Sequence, residues 1–277
     1  MRVLTAILDF YINSSIHVAL AVSALSWVTL LQFDIPYDEN VLCFIFFASV
    51  TGYNFVKYFG LAKFHHRSLA KWLKTIQVFS GVCFMLMSYY ALNLELITLL
   101  CIGVFGLATF LYAIPIIPEK FFLDKQKNLR SIGGLKVYVI AIVWTGVTVF
   151  LPVVNNQLEI TNDVIITAFQ CFLFVMVLML PFEIRDLNYD SLKLSTIPQR
   201  IGVKRTKIIG FLLLLIFYFL NYFKDNINTS ILVSSLITSS IILLFLVFTR
   251  QNQNKYYSAF WVESIPIIWL SILLLLR

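Results

Sequence analysis

Three carboxylates fall at spacings of three and four in the stretch "LPFEIRDLNYDSLKLSTIPQRIGVKRTK": Glu183, Asp186 and Asp190. On a helix, residues three, four and seven apart share a face. Clustered carboxylates repel one another at neutral pH unless a cation sits among them. Hard oxygen donors suit Mg2+, which keeps several waters and is commonly completed by substrate phosphates. The spacing therefore fits a Mg2+-diphosphate site with Glu183, Asp186 and Asp190 as the protein's donors. It also fits a charged face balanced by Arg185 and Lys193, with no ligand.

These residues must be held by membrane helices. Of the 277 residues 60% are apolar and 13% charged, against roughly 25% charged in a soluble domain. Apolar runs lie at 10–31, 39–60, 75–93, 95–114, 132–153, 162–182, 207–223, 229–249 and 256–276. Each is near the length that crosses a bilayer, and backbone in hydrocarbon must satisfy its own hydrogen bonds, so the runs read as nine helices. With the N-terminus inside, 19 of the 21 basic residues collect on one face, all but Lys224 and Arg277. That asymmetry orients the N-terminus to the cytoplasm and the C-terminus outside. Three long polar loops, 57–74, 115–136 and 183–206, lie on the same face. The net charge of +7 is a property of that face, and short basic loops between spans do not make a nucleic-acid surface. No cleavable signal is expected in the first residues. Cys43, Cys83, Cys101 and Cys171 all sit in apolar runs without a CxxC pair and read as small core residues.

A few polar residues fall inside the runs. His17 is costly in lipid and is a site candidate by default, with Asn13 four residues before it on the same helical face; a helix-packing hydrogen bond is the plainer reading. Glu263 must face the bundle interior or an interface. The adjacent His65 and His66 point about 100° apart on a helix and share no metal. The 26 Phe, 13 Tyr and 5 Trp are packing and lipid-facing residues, and none is singled out for chemistry.

The residues that follow the carboxylates extend their pattern. Asp186, Asp190, Lys193, Thr196, Pro198, Arg200, Gly202 and Lys204 resemble the second aspartate-rich motif of the UbiA superfamily of intramembrane prenyltransferases. That motif reads D-x-x-x-D, a basic residue, TLP or TLA, an arginine, LG and a basic start to the seventh helix. The stretch "YAIPIIPEKFFLDKQKNLRSIGGLKVYVIAIVWTGV" is similar to the family's Tyr/Pro-containing loop and Gly-containing fifth helix. Nine spans with long loops after the second, fourth and sixth are the family layout. The family's first aspartate motif is absent. In "GYNFVKYFGLAKFHHRS", Asn54 matches that motif's Asn, but Phe55 and Tyr58 stand where aspartates would, and no carboxylate occurs between Glu39 and Glu95. The Arg-Pro often found near the family's first helix is also missing.

The resemblance implies an all-α, polytopic integral membrane protein, one membrane domain over 1–277. Nine transmembrane helices would form a UbiA-like bundle with a central cavity open to the cytoplasmic side. It implies transfer of an isoprenoid group from a prenyl diphosphate to a lipid-soluble acceptor, an aromatic one by expectation, in a bacterial inner (plasma) membrane. Asp186 and Asp190 would be catalytic and, with Glu183, hold Mg2+. Lys57 and Lys63 would contact the diphosphate in place of the lost motif, with Lys136 and Arg200 as weaker contacts. Asn54, Tyr58, Asn13 and His17 would line the substrate cavity. Two alternatives stay open for the missing motif: a UbiA fold that binds a lipid or partner subunit without the reaction, and lysines that are only topological anchors. A transporter ranks below these, because no inverted repeat is visible.

Overall fold

The computed structural model describes residues 2–64, 71–113, 134–187 and 196–277. Among them there is no strand. The helices are α1 (Arg2–Asn13), α2 (Ile16–Gln32), α3 (Glu39–Phe64), α4 (Lys71–Ala91), α5 (Leu96–Ala113), α6 (Leu135–Thr145), α7 (Leu151–Asn155), α8 (Asn162–Asp186), α9 (Ile197–Ile201), α10 (Val203–Phe219), α11 (Thr229–Phe248) and α12 (Ile265–Leu276). Two π-helical segments, Gly146–Phe150 and Tyr257–Val262, precede α7 and α12. Each contains the residue four before a proline, Thr148 before Pro152 and Val262 before Pro266. A proline ring collides with that carbonyl and offers it no N–H, and local widening of the helix relieves both problems.

Six helical stretches are long and apolar enough to cross a membrane: Glu39–Tyr58, Leu135–Asn155, Asn162–Asp186, Val203–Phe223, Thr229–Phe248 and Tyr257–Leu276. The pair Leu4–Asn13 and Ile16–Gln32, bent by 58°, makes a seventh if it is one span. The expected runs 75–93 and 95–114 do form helices, α4 and α5, but neither meets the same mark among the described residues. The chain is an integral membrane protein, and among the described residues six of the expected nine spans meet this mark, or seven with the bent pair. The run 10–31 is corrected: it is two helices, broken at Ser14 and Ser15.

The core lies around α8, which carries Phe174, Val175, Val177 and Ile184 at 0% exposure. Phe174 meets Phe217 of α10 and Trp269 of α12 with ring centroids 5.8 and 5.2 Å away. Gly210 lets α10 close on its neighbours: a Cβ there would stand 2.3 Å from Leu246 Cδ2 and 2.9 Å from Leu180 Cδ1. Small residues at such crossings let membrane helices approach, since apolar burial alone gives little drive in lipid. All four cysteines are free thiols.

The two ends of the bundle are finished differently. At the end holding the N-terminus of α8, acidic and amide groups tie the turns. Asp38 Oδ1 accepts from Val41 N at 3.1 Å, and its Oδ2 accepts from Asn155 and Asn156 at 2.8 and 3.0 Å. At the other end, where α8 finishes, the basic residues gather.

Candidate functional site

The break between α1 and α2 leaves carbonyls that no helix satisfies. Ser15 adopts φ 64, a left-handed value that a serine reaches only when its surroundings hold it there. Three residues of α3, Asn54 and those three and four positions after it, do so. Asn54 Nδ2 donates to the Ser14 carbonyl at 2.9 Å and to Ser80 Oγ at 2.8 Å, while its Oδ1 accepts from Ser15 Oγ at 2.8 Å. Lys57 Nζ donates to Ser15 Oγ at 2.9 Å, and Tyr58 OH donates to the Asn13 carbonyl at 2.8 Å. Asn54 thus has a structural role, and Tyr58 and Asn13 take part in the same turn. Each of these groups expected at the substrate cavity thus also has a partner in the turn.

His17 opens α2 beside this turn and is 2% exposed. Its Nε2 faces the Phe260 carbonyl at 2.9 Å, and a carbonyl only accepts, so Nε2 carries the proton. Nδ1 then accepts from Tyr11 OH at 2.8 Å, and the ring stacks on Phe260 with centroids 4.8 Å apart. Both nitrogens are used, so His17 locks α2 to the π segment before α12. Asn13 and His17 stand on different helices, which removes the shared face expected of them.

The charged groups converge on the same end. Lys57 of α3 and Arg185 of α8 both act electrostatically on Glu263, which follows the π segment. Arg185 Nε donates to Asp186 Oδ1 at 2.7 Å, and its guanidinium lies 5.3 Å over the Phe182 ring. Lys136, one residue into α6, places Nζ 3.6 Å from Glu183 Oε1 and 3.7 Å from Asp186 Oδ2. Glu183 is 1% exposed and Asp186 20%. Helices α6 and α8 therefore contribute an alternating run of contacts, Glu183, Lys136, Asp186 and Arg185. Glu183 and Asp186 meet one ammonium, so they share a face.

At the edge of this end Lys255 donates to Asp9 Oδ1 at 2.8 Å, and Tyr256 OH donates to the same oxygen at 2.7 Å. The bond to Asp9 holds the Lys255 ammonium above its ordinary value. Arg200 is exposed at the end of α9, and Gly202, which takes φ 81 between α9 and α10, accounts for the glycine of the motif. Asp190, Lys193, His65, His66 and Arg67 lie outside the described residues, as does the Lys63 side chain. So do 65–70, 114–133 and 188–195, most of the loops expected to border a cavity mouth. The expected loop 57–74 is shorter than its sequence suggests, because α3 runs to Phe64 and places Lys57 on a helix.

Among the described residues no three His, Cys, Asp or Glu side chains are grouped as a metal site requires. The carboxylates of Glu183 and Asp186 have an ammonium between them and a guanidinium on one side. Mg2+ would need Asp190 as a further donor beside them, and Asp190 lies outside the described residues. Sequence reasoning noted Glu263 as a buried acid but did not connect it to Lys57. The signal was there, because an ionisable residue inside a span needs a named partner.

No family model matches the chain, and no curated protein matches it. Solved structures do. A structure concerning digeranylgeranylglyceryl phosphate synthase in membranes is 16% identical, with a TM-score of 0.57 over 100% of this chain and 97% of that one. A UbiA homologue from Aeropyrum pernix K1 is 15% identical, with a TM-score of 0.64 over 94% and 98%. A UbiA homologue from Archaeoglobus fulgidus is 11% identical, with a TM-score of 0.50 over 98% and 95%. Likeness at these identities is likeness of fold, and the fold of this chain is that of the UbiA homologues.

Proposed function

We propose that this chain is a UbiA-type membrane prenyltransferase, moving an isoprenoid group from a prenyl diphosphate to a lipid-soluble, aromatic acceptor. The observation that carries the reading is the convergence of Lys57, Arg185, Asp186 and Lys136 on one end of a bundle with this fold. Ionising the allylic C–O bond leaves the electron pair on diphosphate, so the site must meet growing negative charge. Lys57, Lys136 and Arg185 supply cations there, with Lys63 and Arg200 as further contacts. Glu263, Glu183 and Asp186 hold those cations apart and in place until the diphosphate arrives. The bundle interior solvates the apolar tail and keeps water from the allylic cation. Magnesium, which the resemblance implies, would be held by Asp186 and Asp190 with Glu183 behind them and would add to leaving-group neutralisation. The basic end would face the cytoplasm of a bacterial inner membrane.

A second reading has its own observation. Lys136 and Arg185 already balance Glu183 and Asp186 without an ion, and the first aspartate motif is missing. Both favour a UbiA-fold protein that binds a prenyl lipid or a partner subunit without turnover. Purified chain incubated with radiolabelled prenyl diphosphates separates the two. Diphosphate release supports transfer chemistry, and saturable binding of the tail with no release supports the second reading.

A further inference from the structure

At the opposite end of the bundle, about 35 Å from Asp186 along α8 at 1.5 Å per residue, a cavity of about 190 Å3 opens between the end of α2, the start of α8 and the start of α11. Two of its lining groups are unmet. The Lys224 ammonium donates no hydrogen bond among the described residues, and Asp163 acts on it only through charge. Gln32 Oε1 is buried with no donor. The acids lining the cavity are Asp163, whose Oδ1 accepts from Asp225 N at 3.0 Å, and Asp34, which pairs with Arg277. Asn221, Asn226 and Asn228 complete the polar lining, and Phe33, Ile227, Ile231 and Leu232 form an apolar wall beside it.

An occupant that satisfies these groups carries anionic acceptor oxygens for Lys224 and N–H donors for Gln32 and Asp163. It also carries an apolar body for Ile231 and Leu232. We propose that this cavity binds the phosphoethanolamine head group of a membrane phospholipid, phosphate on Lys224 and ammonium on Gln32 and Asp163. The lipid source is favoured over a free phosphoester because the polar groups sit beside apolar wall at the end of membrane helices, where acyl chains are at hand. Burial pushes the Lys224 ammonium down to about 8, so an arriving phosphate recovers a charge that the empty cavity disfavours.

The test is native mass spectrometry of the full chain released from nanodiscs of phosphatidylethanolamine or phosphatidylcholine. The choline head group has the same phosphate and positive charge but no N–H. The wild type should retain phosphatidylethanolamine about tenfold better, the scale of one or two charge-assisted hydrogen bonds. Lys224→Met should lower retention of both lipids about tenfold, and Gln32→Leu should erase the preference between them. Diphosphate release should be unchanged in both variants, which keeps this site separate from the proposed transferase site. Equal retention of the two lipids by the wild type, or wild-type retention by Lys224→Met, overturns the assignment. So does complete displacement of the lipid by free phosphoethanolamine or inorganic phosphate at equal affinity, which would make the ligand a soluble one.

Discussion

Lys136 Nζ stands 3.6 Å from Glu183 Oε1, an ammonium at the start of α6 facing a carboxylate near the end of α8 that is 1% exposed. A carboxylate so buried needs its cation, whatever else the cation does. Lys136→Met should therefore destabilise the chain by about 2 kcal/mol, less than a fully buried pair because Lys136 is partly exposed. Lys136→Met with Glu183→Gln should recover most of that loss. Thermal unfolding in detergent checks both. Equal stability of Lys136→Met and wild type would mean that Glu183 is neutral or matched elsewhere.

Asn54 makes three hydrogen bonds to the α1–α2 turn and to α4. Asn54→Leu strips them and leaves the Ser14 carbonyl without its donor, at a cost of roughly 2–4 kcal/mol. Asn54→Asp should be nearly as harmful, because a carboxylate oxygen then faces that carbonyl. Unfolding temperatures of the two variants measure this. A tolerated Asn54→Asp would contradict the structural role.

Gly210 faces Leu246 and Leu180 at distances that leave no room for a methyl group. Gly210→Ala should cost about 1–3 kcal/mol by forcing α10 away from α8 and α11. Leu246→Ala in the same chain should relieve part of the penalty, so a double-mutant cycle reads the coupling directly. Additive effects would place the overlap elsewhere.

Lys224 gives the pH dependence. Its ammonium is lowered from 10.5 to about 8 by burial, so the folded state disfavours the charge. The penalty is present in full below about 8 and fades as pH rises toward 10.5, where the unfolded chain also loses its proton. Stability of the empty protein should therefore rise with pH across that window, and Lys224→Met should flatten the slope. Unfolding followed from pH 7 to 10.5 tests the sign, and a slope unaffected by Lys224→Met would contradict it.

Much of the fold was legible because hydrocarbon admits few backbone solutions. Every apolar run is mainly helical over its described residues, and 135–155 and 162–186 fall within a few residues of expectation. The break at Ser14 and Ser15 was not legible, since it depends on donors from Asn54, Lys57 and Tyr58, forty residues away. The π segments follow from Pro152 and Pro266, a signal that was present but unread. At the site, spacing placed Glu183 and Asp186 on one face. It could not show that Lys136, arriving from another helix, sits between them. Nor could hydropathy connect Glu263 to Lys57 and Arg185.

The most direct test of the proposed transfer chemistry measures diphosphate release from labelled prenyl diphosphate in three forms of the purified chain: wild type, Asp186→Asn and Lys57→Met. Release should occur in the wild type, depend on added Mg2+, and fall about 100-fold in each variant, the scale for removing a group that stabilises leaving-group charge. Binding of the prenyl tail should persist in all three. Absence of release from the wild type, or full release in both variants, would contradict the proposal and leave only a membrane bundle of UbiA fold.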